Sequence, residues 1–345
     1  MSNATASETP RARAPVTVRP FDGSAAEWDA FGASCPGWTG FHQWAWKAVM
    51  ERSLGHECLY WGGFDGEGRL AGILPLVRVR SPIFGHYLVS MPFVNYGGPL
   101  GTQDAVAALT EAAVDRARSD RVKLLELRSR VALPISLPVS HRKITVCLDL
   151  PDSEDALMKR FPAKLRSQVR RPAKEGVQVR FGAEQVEPFY RVFRQHMHAL
   201  GTPVMPRGLF AALPDAFGDD VWFGVAYLGD LPIACGAGFR WGDEFEMTWA
   251  SSLGAYNRIS ANMGLYWAFM QRAIASGLRT FNFGRCTPGS GTHRYKTQWT
   301  AADEPLHWYQ WSASGVVSTP SPDAGPLAWA PRVWMRMPRI VVDTA

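Results

Sequence analysis

Cysteine is sparse in this 345-residue chain. Its five cysteines, Cys35, Cys58, Cys147, Cys235 and Cys286, are scattered, odd in number and free of any Cys-x-x-Cys pair. That argues against a disulfide framework and for a reduced, cytoplasmic protein. No uninterrupted run of about 18 apolar residues occurs, so no transmembrane helix is expected. The stretch from Met1 to Pro15 lacks the apolar segment of a secretory signal, and its Ser, Thr, Ala and Pro content predicts a disordered tail. Nucleotide-binding glycine patterns of the Walker and Rossmann kinds are absent, as is a Gly-x-Ser-x-Gly nucleophile turn. His196 and His198 stand two apart in an expected helix and so face different ways, which is not a zinc-ligand spacing, and no metal site is expected. Acidic residues are missing locally: from Lys159 to Lys174 there are seven basic residues and no acid.

What is present fits a globular chain with a substantial core. Hydrophobic residues make up 46% and charged residues 20%, and the formal charge is +6. The positive balance favours acidic partners such as phosphates, nucleic acid or an anionic membrane surface without choosing among them. Fourteen tryptophans are many; they suit packed cores as well as sugar-facing or lipid-facing surfaces.

Helical spacing marks Phe41 to Arg52, Gln103 to Ser119, Pro162 to Arg171, Val186 to Leu200 and Ala261 to Ser276. Strands are expected at Cys58 to Phe64 and Leu70 to Arg80, joined by the turn Asp65 to Gly68. Further strands are expected at Lys123 to Leu127, Lys143 to Leu148, Val177 to Phe181, Trp222 to Leu228, Ile233 to Arg240, Glu244 to Ala250, Thr280 to Phe283 and His307 to Trp311. Helices interleaved with hairpins predict an α+β or mixed-sheet fold. Pro172 is expected to end or kink its helix, because it cannot donate a backbone N–H and crowds the preceding turn. The expected divisions are a tail at 1–15, units at 16–150 and 151–312, and a Pro- and Arg-rich tail at 313–345. That last tail mixes bulky apolar residues with arginines, as a segment at an anionic membrane surface would.

The densest local signal lies between Phe281 and Trp299. A short apolar strand enters a glycine-rich turn, and one lysine, Lys296, follows between Tyr295 and Trp299. Glycines allow close backbone approach, and a lysine beside such a turn can place a positive charge where an oxyanion forms. On local pattern alone, a plain turn with a surface lysine is the commoner explanation.

Phe281, Phe283, Gly284, Arg285, Gly289, Gly291, Tyr295, Lys296 and Trp299 match, in order, a C-terminal signature in which a strand ending FDFGRS leads through a GTG turn to FKKNWG. This resembles the FemAB-like family. The stretches from Ser90 to Pro99 and from Leu200 to Arg207, and Asn262 with Tyr266, Trp267 and Met270, resemble its subgroup associated with exosortase/PEP-CTERM exopolysaccharide systems. The resemblance covers about residues 16 to 312. It implies two tandem GNAT-like acyl-CoA N-acyltransferase domains with mixed, mostly antiparallel sheets.

The resemblance also implies site residues. Lys296 would stabilise the oxyanion of acyl transfer to an amine. Arg285 could clamp a phosphate or carboxylate, or form a structural ion pair. Tyr295, Trp299, Tyr96, Asn262 and Tyr266 would line the substrate site. Arg166, Arg170 and Lys174, four apart, could hold the phosphates of CoA, a lipid-linked sugar or tRNA. Asn282 stands where the family has Asp, which removes a negative charge, and no Gln/Arg-x-x-Gly-x-Gly loop of standard acetyl-CoA binders occurs.

The expected function is acyl or aminoacyl transfer to an amine on an amino-sugar or lipid-linked cell-envelope precursor. Acyl-CoA is the favoured donor and aminoacyl-tRNA the alternative, with no bound cofactor. The protein is expected to be cytoplasmic, with peripheral contact to the inner membrane as an option. A non-catalytic accessory protein of polysaccharide assembly is the competing class, motivated by Asn282 and by Thr300 in place of Gly. A nucleic-acid-binding module, resting on the basic segment alone, is a third.

Overall fold

The computed structural model describes residues 15–81 and 85–315. The expected tails fall almost wholly outside the described residues. In chain order the first half holds β1 (Thr17–Pro20), α1 (Ala25–Ala33), α2 (Ala45–Leu54), β2 (Glu57–Phe64), β3 (Leu70–Ser81), β4 (Gly85–Ser90), β5 (Leu100–Gly101), α3 (Gln103–Ser119), β6 (Leu124–Ser129), β7 (Val139–Ser140) and β8 (Ile144–Asp149). The second half holds α4 (Glu154–Arg160), α5 (Ala163–Lys174), β9 (Val177–Phe181), α6 (Val186–Ala199), α7 (Arg207–Phe217), β10 (Val221–Leu228), β11 (Leu231–Trp241), β12 (Glu244–Ser252), α8 (Ala261–Ala275), β13 (Thr280–Asn282), α9 (Gly291–Thr297), β14 (Ala302–Pro305) and β15 (His307–Ser312).

These elements follow from local chemistry. The β2–β3 hairpin closes through Asp65, whose backbone N–H donates to the Arg69 carbonyl and whose carboxylate accepts from the Arg69 N–H, and through Gly68 at φ +78°. Thr102 caps α3 by accepting from the Ala105 N–H. The apolar face of α3 (Val106, Leu109, Ala113 and Ala117) is buried as its spacing predicts. The helix expected from Phe41 is instead a short 3-10 turn at Gly40–His42 followed by α2.

Two sheets form, and they repeat one plan. The first has the order β1-β2-β3-β4-β6-β15-β7, with β5 added on β3; the second, taken from the corresponding edge, runs β9-β10-β11-β12-β13-β8-β14. In each, only the fourth and fifth strands are parallel, β4 with β6 and β12 with β13. A helix (α3 or α8) links that parallel pair, and a pair of helices links the first two strands. The expected doubled α+β arrangement with mostly antiparallel sheets is therefore the one that forms.

The boundary expected at 150 does not divide the sheets. β8 precedes it yet pairs with β13 and β14 of the second sheet. β15 ends the described chain yet returns to the first sheet beside β6 and β7. Each half lends its sixth strand to the other, so the two are tied by backbone ladders. Between them runs an aromatic seam, in which Phe41 meets Phe239 at 5.8 Å and Trp241 at 5.3 Å, and Trp46 meets Phe217 at 4.8 Å. Such pairs add roughly 0.5–1.5 kcal/mol each beyond their burial.

Pro172 does not stop α5, which continues to Lys174. The proline lies near the C-terminal end, so the helix gives up its bond to the carbonyl one turn back and runs only two residues further. It is buried against α8 at Gly264, where an added Cβ would lie 2.8 Å from the proline ring.

Candidate functional site

In the second sheet the parallel ladder covers only Glu244–Thr280, Phe245–Phe281 and Glu246–Asn282. β12 then runs on to Ser252, while the chain after Asn282 follows β8 instead, through Phe283 N–H to Val146 O and a bridge between Cys286 and Ile144. The strands part like a fork. Just beyond it, β12 carries a bulge at Thr248, where the register against β11 slips between Ala237 and Gly238. No strand among the described residues pairs with that edge of β12 past Glu246.

Lys296 sits at the fork. It is 4% exposed, and its Nζ donates to the carbonyls of Gly284 at 2.5 Å and Arg285 at 3.0 Å. Its third N–H has no protein partner among the described residues. Burial pushes the ammonium down to about 8, with Cys286 and Glu246 acting the other way. The lysine read as a turn residue is thus a buried cation clamping the end of β13. Ser290, accepting from the His293 N–H, starts the short helix α9 that presents it.

Below the fork lies a buried polar network that joins the halves. Glu246, wholly buried, accepts from Asn95 Nδ2 and from the Tyr96 hydroxyl. Asn282 Nδ2 donates to Tyr96 Oη at 2.9 Å, Glu244 Oε1 at 2.8 Å and Glu246 Oε2 at 3.2 Å. Its Oδ1 accepts from Thr145 at 2.5 Å and from Gly284 N–H at 2.8 Å. Arg130 from the first half closes the network with a two-toothed bond to Glu244 at 2.7 and 2.8 Å and a bond to Glu304 at 3.0 Å. Burial, and then Glu244, push the Glu246 carboxyl up to about 7. Tyr96 comes from a loop whose Met91 and Phe93 hold left-handed φ angles of +55° and +70°, strain of a kind that gathers at functional sites.

The expected residues separate into groups. Lys296 and Arg285 meet at the fork. Tyr96 is not a cleft residue: it is fully buried, and its hydroxyl is spent within the network. Trp299 is likewise fully buried, so its ring supports the site and faces no solvent. Tyr266 stacks on Phe283 at 5.6 Å and meets the Tyr295 ring edge at 5.3 Å, a buried wall behind α9. The Tyr295 hydroxyl reaches the Asn262 carbonyl at 3.4 Å, and Asn262 Oδ1, in the first turn of α8, has no donor among the described residues. Arg166 is used on the Phe161 carbonyl at 2.5 Å, whereas Arg170 and Lys174 are exposed on α5 beside α8.

Arg285 does not make the structural ion pair that is one of the two expectations for it. Its guanidinium stands 5.0 Å above the Trp308 ring of β15, without a hydrogen bond or salt bridge among the described residues. Burial, then Arg128, push it down to about 10. Arg128 stacks on the same indole at 4.5 Å but is engaged by Glu126 at 2.7 Å and the Val94 carbonyl at 3.1 Å.

Glu246 and Arg130 were not singled out by the sequence. The signal was nonetheless there. Glu244 and Glu246 alternate on one face of an otherwise apolar stretch, and paired acids inside a buried strand need partners.

A family profile described as "Acetyltransferase (GNAT) domain" matches residues 159–297. Among solved structures, FemX aligns over 84% of this chain and 96% of its own at 14% identity and a TM-score of 0.63. L-PGS from Bacillus licheniformis aligns over 91% and 98% at 12% identity and 0.55. The C-terminal domain of a proposed lysylphosphatidylglycerol synthetase from Agrobacterium fabrum aligns over 84% and 92% at 14% identity and 0.52. At these identities the likeness is one of fold. A search of curated proteins found no match. The profile match takes in the fork, α8 and α9, with Lys296, Arg285, Tyr295, Tyr266 and Asn262.

Proposed function

Because the chain carries a GNAT-type acetyltransferase domain, we propose that it transfers an acyl group from acyl-CoA to an amine on a cell-envelope or exopolysaccharide precursor. One observation carries this reading: the fork between β12 and β13 ends at a buried lysine with one N–H unassigned. The unpaired edge of β12 offers main-chain groups to the amides of an extended donor, as an added strand would use them. The first turn of α8 follows Ser260, which makes no side-chain cap, and so leaves N–H groups for donor phosphates.

In the reaction the amine nitrogen attacks the thioester carbonyl, and its carbonyl oxygen becomes an oxyanion. The C–S bond then breaks, and the proton lost by nitrogen leaves with the thiol. Lys296 supplies the positive charge for the oxyanion. Asn282 and Glu246 hold the strands on either side of it and face no solvent, so they are positioning residues. The exosortase-associated resemblance supports an amino-sugar or lipid-linked acceptor.

A second donor has support of its own. The fold shared with FemX and the lysylphosphatidylglycerol synthetase domain suits aminoacyl transfer, and Arg170 and Lys174 on α5 would then meet the phosphates of a charged tRNA. No helix among the described residues is long and apolar enough to cross a membrane, so a lipid-linked acceptor would be met at the membrane surface.

The test is thiol release from acetyl-CoA and longer acyl-CoAs with an amino-sugar acceptor, run beside transfer from charged tRNA. Amine-dependent release that falls about 100-fold in Lys296→Ala is expected. A folded protein that uses neither donor would leave the accessory-protein reading standing in its place.

A further inference from the structure

Trp308 is 5% exposed, and its indole N–H has no acceptor among the described residues. Orphaned donors of this kind are rare inside proteins. Over the same ring lies the unpaired guanidinium of Arg285. Lys143, half-buried, donates to Thr287 Oγ1 at 2.6 Å; its ammonium is pushed down by burial and then by the charge of Arg285. The guanidinium and the indole N–H thus share one ring, and Lys143 lies near enough for the charge of Arg285 to act on it. The neighbouring carboxylates are taken: Glu126 by Arg128 and by Gln310 Nε2 at 2.7 Å, Glu246 by Asn95 and Tyr96.

From this excess of donors we infer that Arg285, the Trp308 N–H and Lys143 form a subsite for one anionic group, a carboxylate or a phosphate, on the acceptor. The site is composite. Arg285 follows β13 of the second sheet, Lys143 directly precedes β8, and Trp308 belongs to β15 of the first sheet. The strand exchange is what brings them together. An incoming anion would accept from the guanidinium and the indole N–H and would relieve the repulsion between Arg285 and Lys143. Because Lys296 binds the carbonyl of Arg285 itself, the anion would be held one residue from the fork, which fixes where the acceptor's amine presents itself. Only the word acceptor rests on the transfer reading; the anion site is read by binding and stands or falls separately.

The experiment is calorimetric titration of the full chain with phenyl phosphate and with benzoate, using benzyl alcohol as the neutral control. Arg285→Gln, Arg285→Lys and Trp308→Phe would be measured beside Arg69→Gln, a surface change on the β2–β3 turn. Saturable binding of at least one anion and none of the alcohol is expected. The Arg285→Gln change should weaken it about tenfold or more, Trp308→Phe about threefold to tenfold, and Arg285→Lys by an intermediate amount. Arg69→Gln should match wild type. Preference between the two anions distinguishes a phosphate-bearing acceptor from a carboxylate-bearing one. If Arg285→Gln fails to fold, Trp308→Phe and Arg285→Lys decide. Absence of binding by both anions, or binding indifferent to Arg285 and Trp308, would overturn the proposal even if acyl transfer were observed.

Discussion

Asn282 Nδ2 lies 2.8 Å from Glu244 Oε1 and 3.2 Å from Glu246 Oε2, so one amide separates two buried carboxylates. An Asp in place of Asn282 would put a third carboxylate beside the other two, with Arg130 the only cation among the described residues bonded to them. The amide donates to both carboxylates and adds no charge.

Asn282→Asp is expected to destabilise the protein by about 3–5 kcal/mol at neutral pH, the cost typical of an uncompensated buried charge. The loss should shrink in acid, where one carboxyl can hold a proton. Urea unfolding at two pH values measures it. Equal stability of variant and wild type at pH 8 would show that the network does not carry the charges assigned to it.

Much of the fold was legible, and the reasons are physical. The α3 face and the β2–β3 hairpin carry strong period and turn signals. The exchange of β8 and β15 was invisible, because strand pairing across about 160 residues leaves no local trace and both strands are short. In the candidate site, Lys296 and Arg285 were named through the motif that contains them. Tyr96 and Trp299 were named too, but sequence could not say that their rings are buried. Trp308 carried no signal at all, since a tryptophan in an aromatic terminal strand looks like core until its unpaired N–H is seen.

Glu246 makes a prediction about pH. Its folded value of about 7 lies above the ordinary 4.5. Between those values the folded protein keeps a proton that the unfolded chain has released. Its contribution is therefore fully present below pH 4.5 and is lost as pH rises through 7. Across that window the wild type should lose on the order of 3 kcal/mol that Glu246→Gln does not lose. Parallel stability–pH curves for the two proteins would remove Glu246 as the titrating group.

Lys296 predicts an alkaline limb. Its ammonium is charged below about 8 and neutral above it, so kcat should fall as pH climbs through that value. Lys296→Arg keeps the charge throughout and should move the limb upward at a lower plateau, while Lys296→Ala should leave only a residue of about one percent. A limb that stays in place in Lys296→Arg would assign it to another group.

The exchanged strands lead to the last prediction. A fragment spanning 151–315 follows the boundary that the sequence suggested, but it lacks β8. Without β8, β14 has no pairing partner, and β13 keeps only its three-residue ladder to β12. Val146 and Leu148, both buried in the core that contains Phe281 and Trp299, are removed as well. Stripping two large aliphatic side chains costs roughly 2–5 kcal/mol each, against a total stability of about 5–15 kcal/mol for a typical domain. The fragment should therefore lack cooperative unfolding and be digested rapidly by protease. One beginning at 141 regains β8 and should show protection of Phe281 and its neighbours, although Trp308 and Tyr309 of β15 would then have no β6 to pair with. Cooperative melting of the 151–315 fragment, with the near-ultraviolet signal of ordered tryptophans, would mean that the halves fold independently and that the exchange adds nothing to the site.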